Sequence, residues 1–315
     1  MIYGPPKNFT LGYACICTQL EKQGIFTSRT MRLKTFLDKG MDYVKELALK
    51  NLTDLMKIME WNAKNDIKFF RLSSEIFPFA GHPEYGYSLE FADKLLRKIG
   101  AYAKKNDIRV TMHPSHFNNL ASESERVINS TLADLKHHCE ILDRMKLDKN
   151  SVLVLHGGGI YGDKEKTIKR LYQNLKKLPK CTIKRIVFEN DEMNYNVEDL
   201  LPISEAFGIP IVCDFHHDSI NPSSKPIDKY FDRVYKVWSD RGIKPKVHVS
   251  NSCPGILSSN NIMERRKHSD HIEFLHKPLQ KIKFPIDVML ECKLKEQSVF
   301  RLRKMPRSQI FKNPI

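Results

Sequence analysis

Residues 209–219 read IPIVCDFHHDS. The run 209–213 is apolar without alternation, as in a strand of a parallel sheet buried on both faces. Polarity then changes at once, with Asp214, His216 and His217 following Cys213. A carboxylate and two imidazoles are costly to leave at the edge of a core. They either cap a loop in water or hold something.

The same grammar recurs along the chain. Strands are expected at 11–17, 68–73, 108–113, 152–156, 185–189, 210–214, 246–250 and 286–291, each a short β-type run. Stretches of helical period lie between them, at 52–65, 89–105, 123–145, 164–178, 197–207, 228–241 and 271–281. Strand and helix alternating eight times imply parallel pairing and a single closed (β/α)8 TIM barrel of the α/β class. A doubly wound open sheet shows the same alternation. Two features disfavour it: no G-x-G-x-x-G follows the first strand, and polar residues end almost every strand instead of gathering at one switch point. No linker divides the chain, so residues 1–292 are expected to form the barrel. Residues 293–315, with Arg301, Arg303, Lys304 and Arg307, are expected to add a basic helix and a loose tail.

Hydrophobic residues at 41% and charged residues at 28% are ordinary for a globular domain. The net charge of +15 is not, and it favours a polyanionic partner, nucleic acid before an acidic membrane surface. No apolar run reaches the roughly 18 residues that cross a bilayer. LGYACIC near the start is too short for a span and lacks a small-residue cleavage site, so an intracellular protein without membrane attachment is expected. Seven cysteines, an odd number with no C-x-x-C pair, suit reduced thiols. Cys15 and Cys17 read as strand residues.

In a barrel the C-terminal strand ends face one shared pocket. Here they carry His113, His156, Glu189, Asp214 with His217 just beyond, Lys246 and His248, and Glu291. A lone histidine in such a place is more often a hydrogen-bonded structural residue than a ligand. Six consecutive strands ending this way converge on one point, and imidazoles mixed with carboxylates suit Zn, Mn or Fe. One tetrahedral ion needs about four ligands, so the set is large enough for two or three ions. Such clusters suit phosphoryl chemistry, in which one ion activates water and another neutralises the leaving oxygen. His216 either joins the set or supports it from behind. Gly157, Gly158 and Gly159 make a tight βα turn or let backbone approach a ligand. Neither a G-x-S-x-G nor a phosphate-cradling G-x-x-x-x-G-K is present.

From about residue 11 to 293 the chain resembles the UV damage endonucleases, relatives in fold of endonuclease IV and the xylose isomerase type barrels. The resemblance rests on LGYACICT, FFRLSSEIFPFAGHP, TMHPSHF, LVLHGGG, FENDE, CDFHHDS, KVHVS, the HSD at 268–270 and MLEC, in order and at barrel spacing. It implies a manganese cluster held by His113, His156, Glu189, Asp214, His217, His248, His268 and Glu291, with His271 an alternative to His268. It implies catalytic roles for Glu189 and Lys246, the lysine being one that the family modifies to a carbamate. The implied activity is incision of double-stranded damaged DNA on the 5′ side of a UV photoproduct, leaving a 3′-hydroxyl; no obligate protein partner is implied.

The chain departs from the family pattern at the residues that meet the lesion. His116 and Phe117 stand where the family has a Gln-Tyr wedge, and Cys17 replaces an Asn while Tyr13 is retained. Tyr13, His116 and Phe117 are therefore the expected lesion-binding residues, and Phe117 can still stack on or wedge between bases. Two other functions compete. A sugar isomerase or epimerase on the same barrel type would act on a small, often neutral substrate, which the charge of +15 disfavours. A nucleic-acid-binding protein with a dead site is disfavoured by the full ligand set.

Overall fold

The computed structural model describes residues 2–313. Eight parallel strands follow one another around a closed ring: β1 Phe9–Ala14, β2 Phe69–Leu72, β3 Arg109–Met112, β4 Leu153–His156, β5 Ile186–Glu189, β6 Ile211–Asp214, β7 Lys246–Val249 and β8 Ile286–Leu290. Closure is made by β1, whose Gly12 is in register with Phe69 of β2 on one side and Met289 of β8 on the other. The open-sheet alternative is thereby excluded.

Alternation along each strand sorts residues between the barrel interior and the helical layer. On β1 the interior positions are even. A Cβ on Gly12 would lie 2.3 Å from the Phe69 carbonyl oxygen, so no larger residue fits there. Odd positions face the helices, and Tyr13 is fully buried with its hydroxyl donating to Asn62 Oδ1 at 2.7 Å. β1 stops at Ala14, three residues before the expected end, because Cys15 takes a φ of 67° and turns the chain.

The helical layer is α1 Leu33–Lys64, bent at Gly40, then α2 Asp93–Lys105, α3 Glu125–Arg144, α4 Lys164–Leu175, α5 Val197–Phe207, α6 Phe231–Asp240 and α7 Glu296–Lys304. Their apolar stripes close over the outer strand faces. Leu96, Ile99 and Ala103 of α2 and Val234, Val237 and Trp238 of α6 are buried there. The helix expected at 271–281 does not form. Pro278 biases the residue before it away from α geometry, and the chain instead runs as a two-residue strand, Leu275–His276, into a 3-10 turn, Lys277–Lys281.

The basic helix expected after residue 292 forms as α7 and is packed against the barrel. Val299 and Leu302 of α7 are buried, and the buried Glu296 accepts from Thr18 Oγ1 and the backbone N–H groups of Thr18 and Gln19 at 2.6 to 3.0 Å. Phe311–Lys312 then pairs in parallel with Leu275–His276. The end of the barrel at the strand starts is closed by Asp287, which receives Arg109 Nη1 at 2.7 Å and Lys244 Nζ. The opposite end is open. No helix among the described residues is long and apolar enough to cross a membrane.

Candidate metal centre

The open end of the barrel is a cleft of about 670 Å³ lined by His113, His156, Glu189, His217 and Glu291 together with Arg71, Glu192 and Arg266. The loops that follow β3 and β4 brace each other at its wall. Gly158, at φ 97°, lies so close to Asn119 that a Cβ would stand 2.2 Å from its Oδ1. The glycines thus serve the packing of one loop on the next.

Asp214 shows how a strand end becomes a site. Its Oδ1 accepts from the N–H groups of His216 and His217 at 2.7 and 2.8 Å, capping the short helix Phe215–Ile220. Its Oδ2 is buried without any hydrogen-bond partner. Asn190 locks β5 to β6, donating to the Asp214 carbonyl at 2.9 Å and accepting from the Asp214 N–H at 2.8 Å. The polar edge at 214–217 therefore both caps a helix and faces the cleft.

Glu189 is the centre of the arrangement. Its Oε2 lies 2.9 Å from His113 Nε2 and 3.6 Å from His156 Nε2, while its Oε1 lies 2.6 Å from His248 Nδ1 and 3.8 Å from His217 Nδ1. Glu291 Oε1 is 3.2 Å from His248 Nδ1 and pairs with Arg71. Two histidines are aimed by backbone carbonyls. His113 Nδ1 donates to Pro114 O at 3.0 Å and His217 Nδ1 to Asn190 O at 2.9 Å, which turns each Nε2 toward a carboxylate of the cleft, Glu189 for His113 and Glu192 for His217.

Three groups could each hold an ion: His113, His156 and Glu189; Glu189, Asp214 and His217; and Asp214, His248 and Glu291, the ligand atoms in each lying within 4.8 Å of one another. Glu189 belongs to the first two and Asp214 to the last two, so the three form one chain of adjacent sites.

The electrostatics fit cations. Burial, then the neighbouring Glu291 and Asp214, pushes the Glu189 carboxyl well above the usual range. Burial opposes ionisation of Glu291 as well, but Arg71, His248 and His113 overcome it and hold that carboxyl low. Burial brings His156 down to about 4, with His217 adding to the effect, whereas Asp214, Glu189 and Glu192 overcome burial at His217 and carry it up to about 10. Burying Glu189, Asp214, Glu192 and Glu291 around one cleft is unfavourable unless positive charge compensates them. Asp214 Oδ2 is buried and partnerless, as an ion ligand would be, and His248 Nδ1 stands 4.0 Å from it.

Lys246 is fully buried on the same face of β7 as His248, its Nζ without a hydrogen-bond partner and 5.5 Å from the Phe69 ring centroid. Burial and the nearby Arg71 and Arg109 draw it down to about 7.

The remaining expected residues fall differently. The structure does not bring His268 into any of the three groups. A backbone bridge to Ser252 turns its ring edge-on to His216, with centroids 5.1 Å apart. His271 is spent on Ser298 Oγ at 3.1 Å. His216 is buried and belongs to none of the three groups. Tyr13, expected to meet DNA, is a core residue, because the closed interior at Gly12 turns it outward under α1. His116 and Phe117 stand at the rim with ring centroids 4.3 Å apart, and Phe117 is 78% exposed.

Sequence reasoning missed Arg71, Glu192 and Arg266. For Arg71 a signal existed, a cation inside the otherwise apolar run FFRL. Glu192 and Arg266 lie on loops whose course no periodicity describes.

Comparison with known proteins bears on this site. A family model described as UV-endonuclease UvdE matches residues 9–313. A UV-damage endonuclease of Schizosaccharomyces pombe is 40% identical over 308 residues, 94% of this chain and 50% of that protein. A putative UV-damage endonuclease of Acanthamoeba polyphaga mimivirus is 40% identical over 303 residues, 93% of this chain and 89% of that one. The chain thus spans half the length of the first and most of the second. The crystal structure of SacUVDE superposes with a TM-score of 0.81 at 30% identity, covering 94% of this chain and 97% of that one. A D-tagatose 3-epimerase-like protein shares only the fold, with 17% identity, a TM-score of 0.52 and coverage of 77% and 88%.

Proposed function

The chain belongs to the UV-endonuclease family, and from that membership and the geometry of the cleft we propose that it is a metal-dependent repair endonuclease that nicks double-stranded DNA 5′ of UV photoproducts and other distorting lesions. The observation that carries the proposal is the chain of three ligand groups joined through Glu189 and Asp214. His113, His156, Glu189, Asp214, His217, His248 and Glu291 would hold two or three divalent ions, with Mn²⁺ the proposed metal. Bound there, such ions supply Lewis-acid activation of water and charge for the leaving oxygen of an in-line displacement.

The chain's own residues do the rest. Glu189, within reach of four imidazoles, fixes the spacing of the sites. Arg71 orients Glu291. Lys246 is proposed to carry a carbamate, formed when its amine adds carbon dioxide and loses a proton. A carbamate would present oxygens to the ions where an ammonium presents none, and the buried, partnerless Nζ beside the cleft supports this. His116 and Phe117 are proposed to enter the helix at the lesion. Their position at the rim, with Phe117 projecting into solvent, supports that role. A sugar isomerase or epimerase reading is supported by nothing closer than a distant fold relation.

The test is nicking of irradiated and unirradiated duplex, with and without added manganese, on protein stripped of metal. The proposal predicts 5′ incision of irradiated DNA that returns with manganese. Equal cutting of both substrates would remove the lesion specificity, and no cutting under any condition would remove the enzyme reading.

A further inference from the structure

Two arginines line the cleft, and they are held differently. Arg71 is 14% exposed and committed to Glu291 at the floor. Arg266 stands at the wall, 40% exposed, with Nε paired to Glu192 Oε1. Its Nη1 reaches only the thioether sulfurs of Met193 and Met263, at 3.9 and 3.6 Å, which are weak acceptors. The rest of its fork makes no hydrogen bond among the described residues. Glu192 would not be left unpaired by the loss of Arg266, because its Oε2 lies 3.4 Å from His217 Nε2. A planar cation with unused donors, beside a floor rich in carboxylates, is suited to bidentate contact with a phosphodiester.

We infer that Arg266 is a phosphate-binding residue of the cleft, parked on Glu192 in the free protein and transferred to a backbone phosphate when a DNA strand enters. The inference rests on the proposed DNA substrate and adds to it a residue and a displacement. Glu192 keeps the guanidinium within the cleft and gives it up to a doubly bonded acceptor.

The experiment is the affinity of the metal-loaded protein for a labelled, unirradiated duplex, which the proposed activity leaves uncut, read by fluorescence anisotropy over a salt series. Arg266→Gln should weaken binding roughly tenfold and make the log–log salt slope shallower by about 0.9, the share of one phosphate contact. Arg266→Lys should restore the slope while recovering only part of the affinity. Glu192→Gln should leave the slope unchanged and tighten binding, since the parking partner is gone. An unchanged slope in Arg266→Gln would overturn the inference. So would Glu192→Gln weakening binding as much as Arg266→Gln, since the pair would then only be tethering a loop. Wild-type nicking of irradiated DNA is run alongside. If it is absent, the proposed function fails and takes this inference with it; if it is present while the slope is unmoved, only the role of Arg266 fails.

Discussion

Asp214 divides its oxygens between fold and cleft: Oδ1 caps a helix and Oδ2 is free. Asp214→Asn can keep the cap, because Asn serves as well as Asp there. Stability by urea titration should therefore stay within about 1 kcal/mol of wild type, while metal content and nicking fall together. Nicking at the wild-type rate would show that Oδ2 contacts no ion. At the rim, Phe117→Ala should cost damaged-duplex cleavage the ~1–3 kcal/mol of one base–aromatic stack, and strongly distorting lesions, which cost less to open, should be cut better than mild ones. Equal loss on every substrate would place recognition elsewhere. Seven of the eight expected ligands come together in the three groups because a barrel sends its strand ends to one place, so that position in the sequence reports position in space. The structure places His268 outside those groups and Tyr13 in the core for the same reason in reverse. One lies on a loop whose direction is set by a bridge to Ser252, and the other takes its direction from the crowding at Gly12.

Among the elements, the strands were readable and the connection from β7 to β8 was not. Apolar residues at 272, 274, 275 and 279 resemble a helical face, but Pro278 and the pairing of 275–276 with 311–312 impose extended backbone. The partner strand lies 36 residues away in sequence, beyond the reach of any local pattern. That pairing, together with the burial of Val299 and Leu302, holds α7 and the segment after it against the barrel. Leu302→Ala should destabilise the whole protein by about 2–5 kcal/mol, as for other fully buried leucines, and removal of residues 293–315 should abolish cooperative unfolding. A truncated protein with a native melting transition would show that the barrel ends at residue 292. Both are checked by circular dichroism during thermal unfolding.

For the molecule as a whole, the charge of +15 points to DNA but does not place it. The basic C-terminal segment is occupied structurally. Arg303 donates to the carbonyl oxygens of Asn65 and Asp66, just before β2 begins, at the end of the barrel away from the cleft, and Arg301 pairs with Glu273. Neutralising Arg301, Arg303 and Lys304 should leave the salt dependence of DNA binding unchanged and lower stability; a shallower slope would bring the tail into the DNA interface. The central claim is that three adjacent ligand groups, joined through one buried glutamate, make the cleft a metal-dependent nuclease. Its most direct test pairs metal content with nicking of irradiated duplex in the same preparations of wild type and Glu189→Gln, before and after exhaustive chelation. The account predicts bound divalent metal and incision in the wild type, both lost on chelation and regained with manganese. It predicts that Glu189→Gln keeps its fold yet is deficient in metal and inactive. Full activity in the chelated protein, or a wild-type rate in Glu189→Gln, would contradict it.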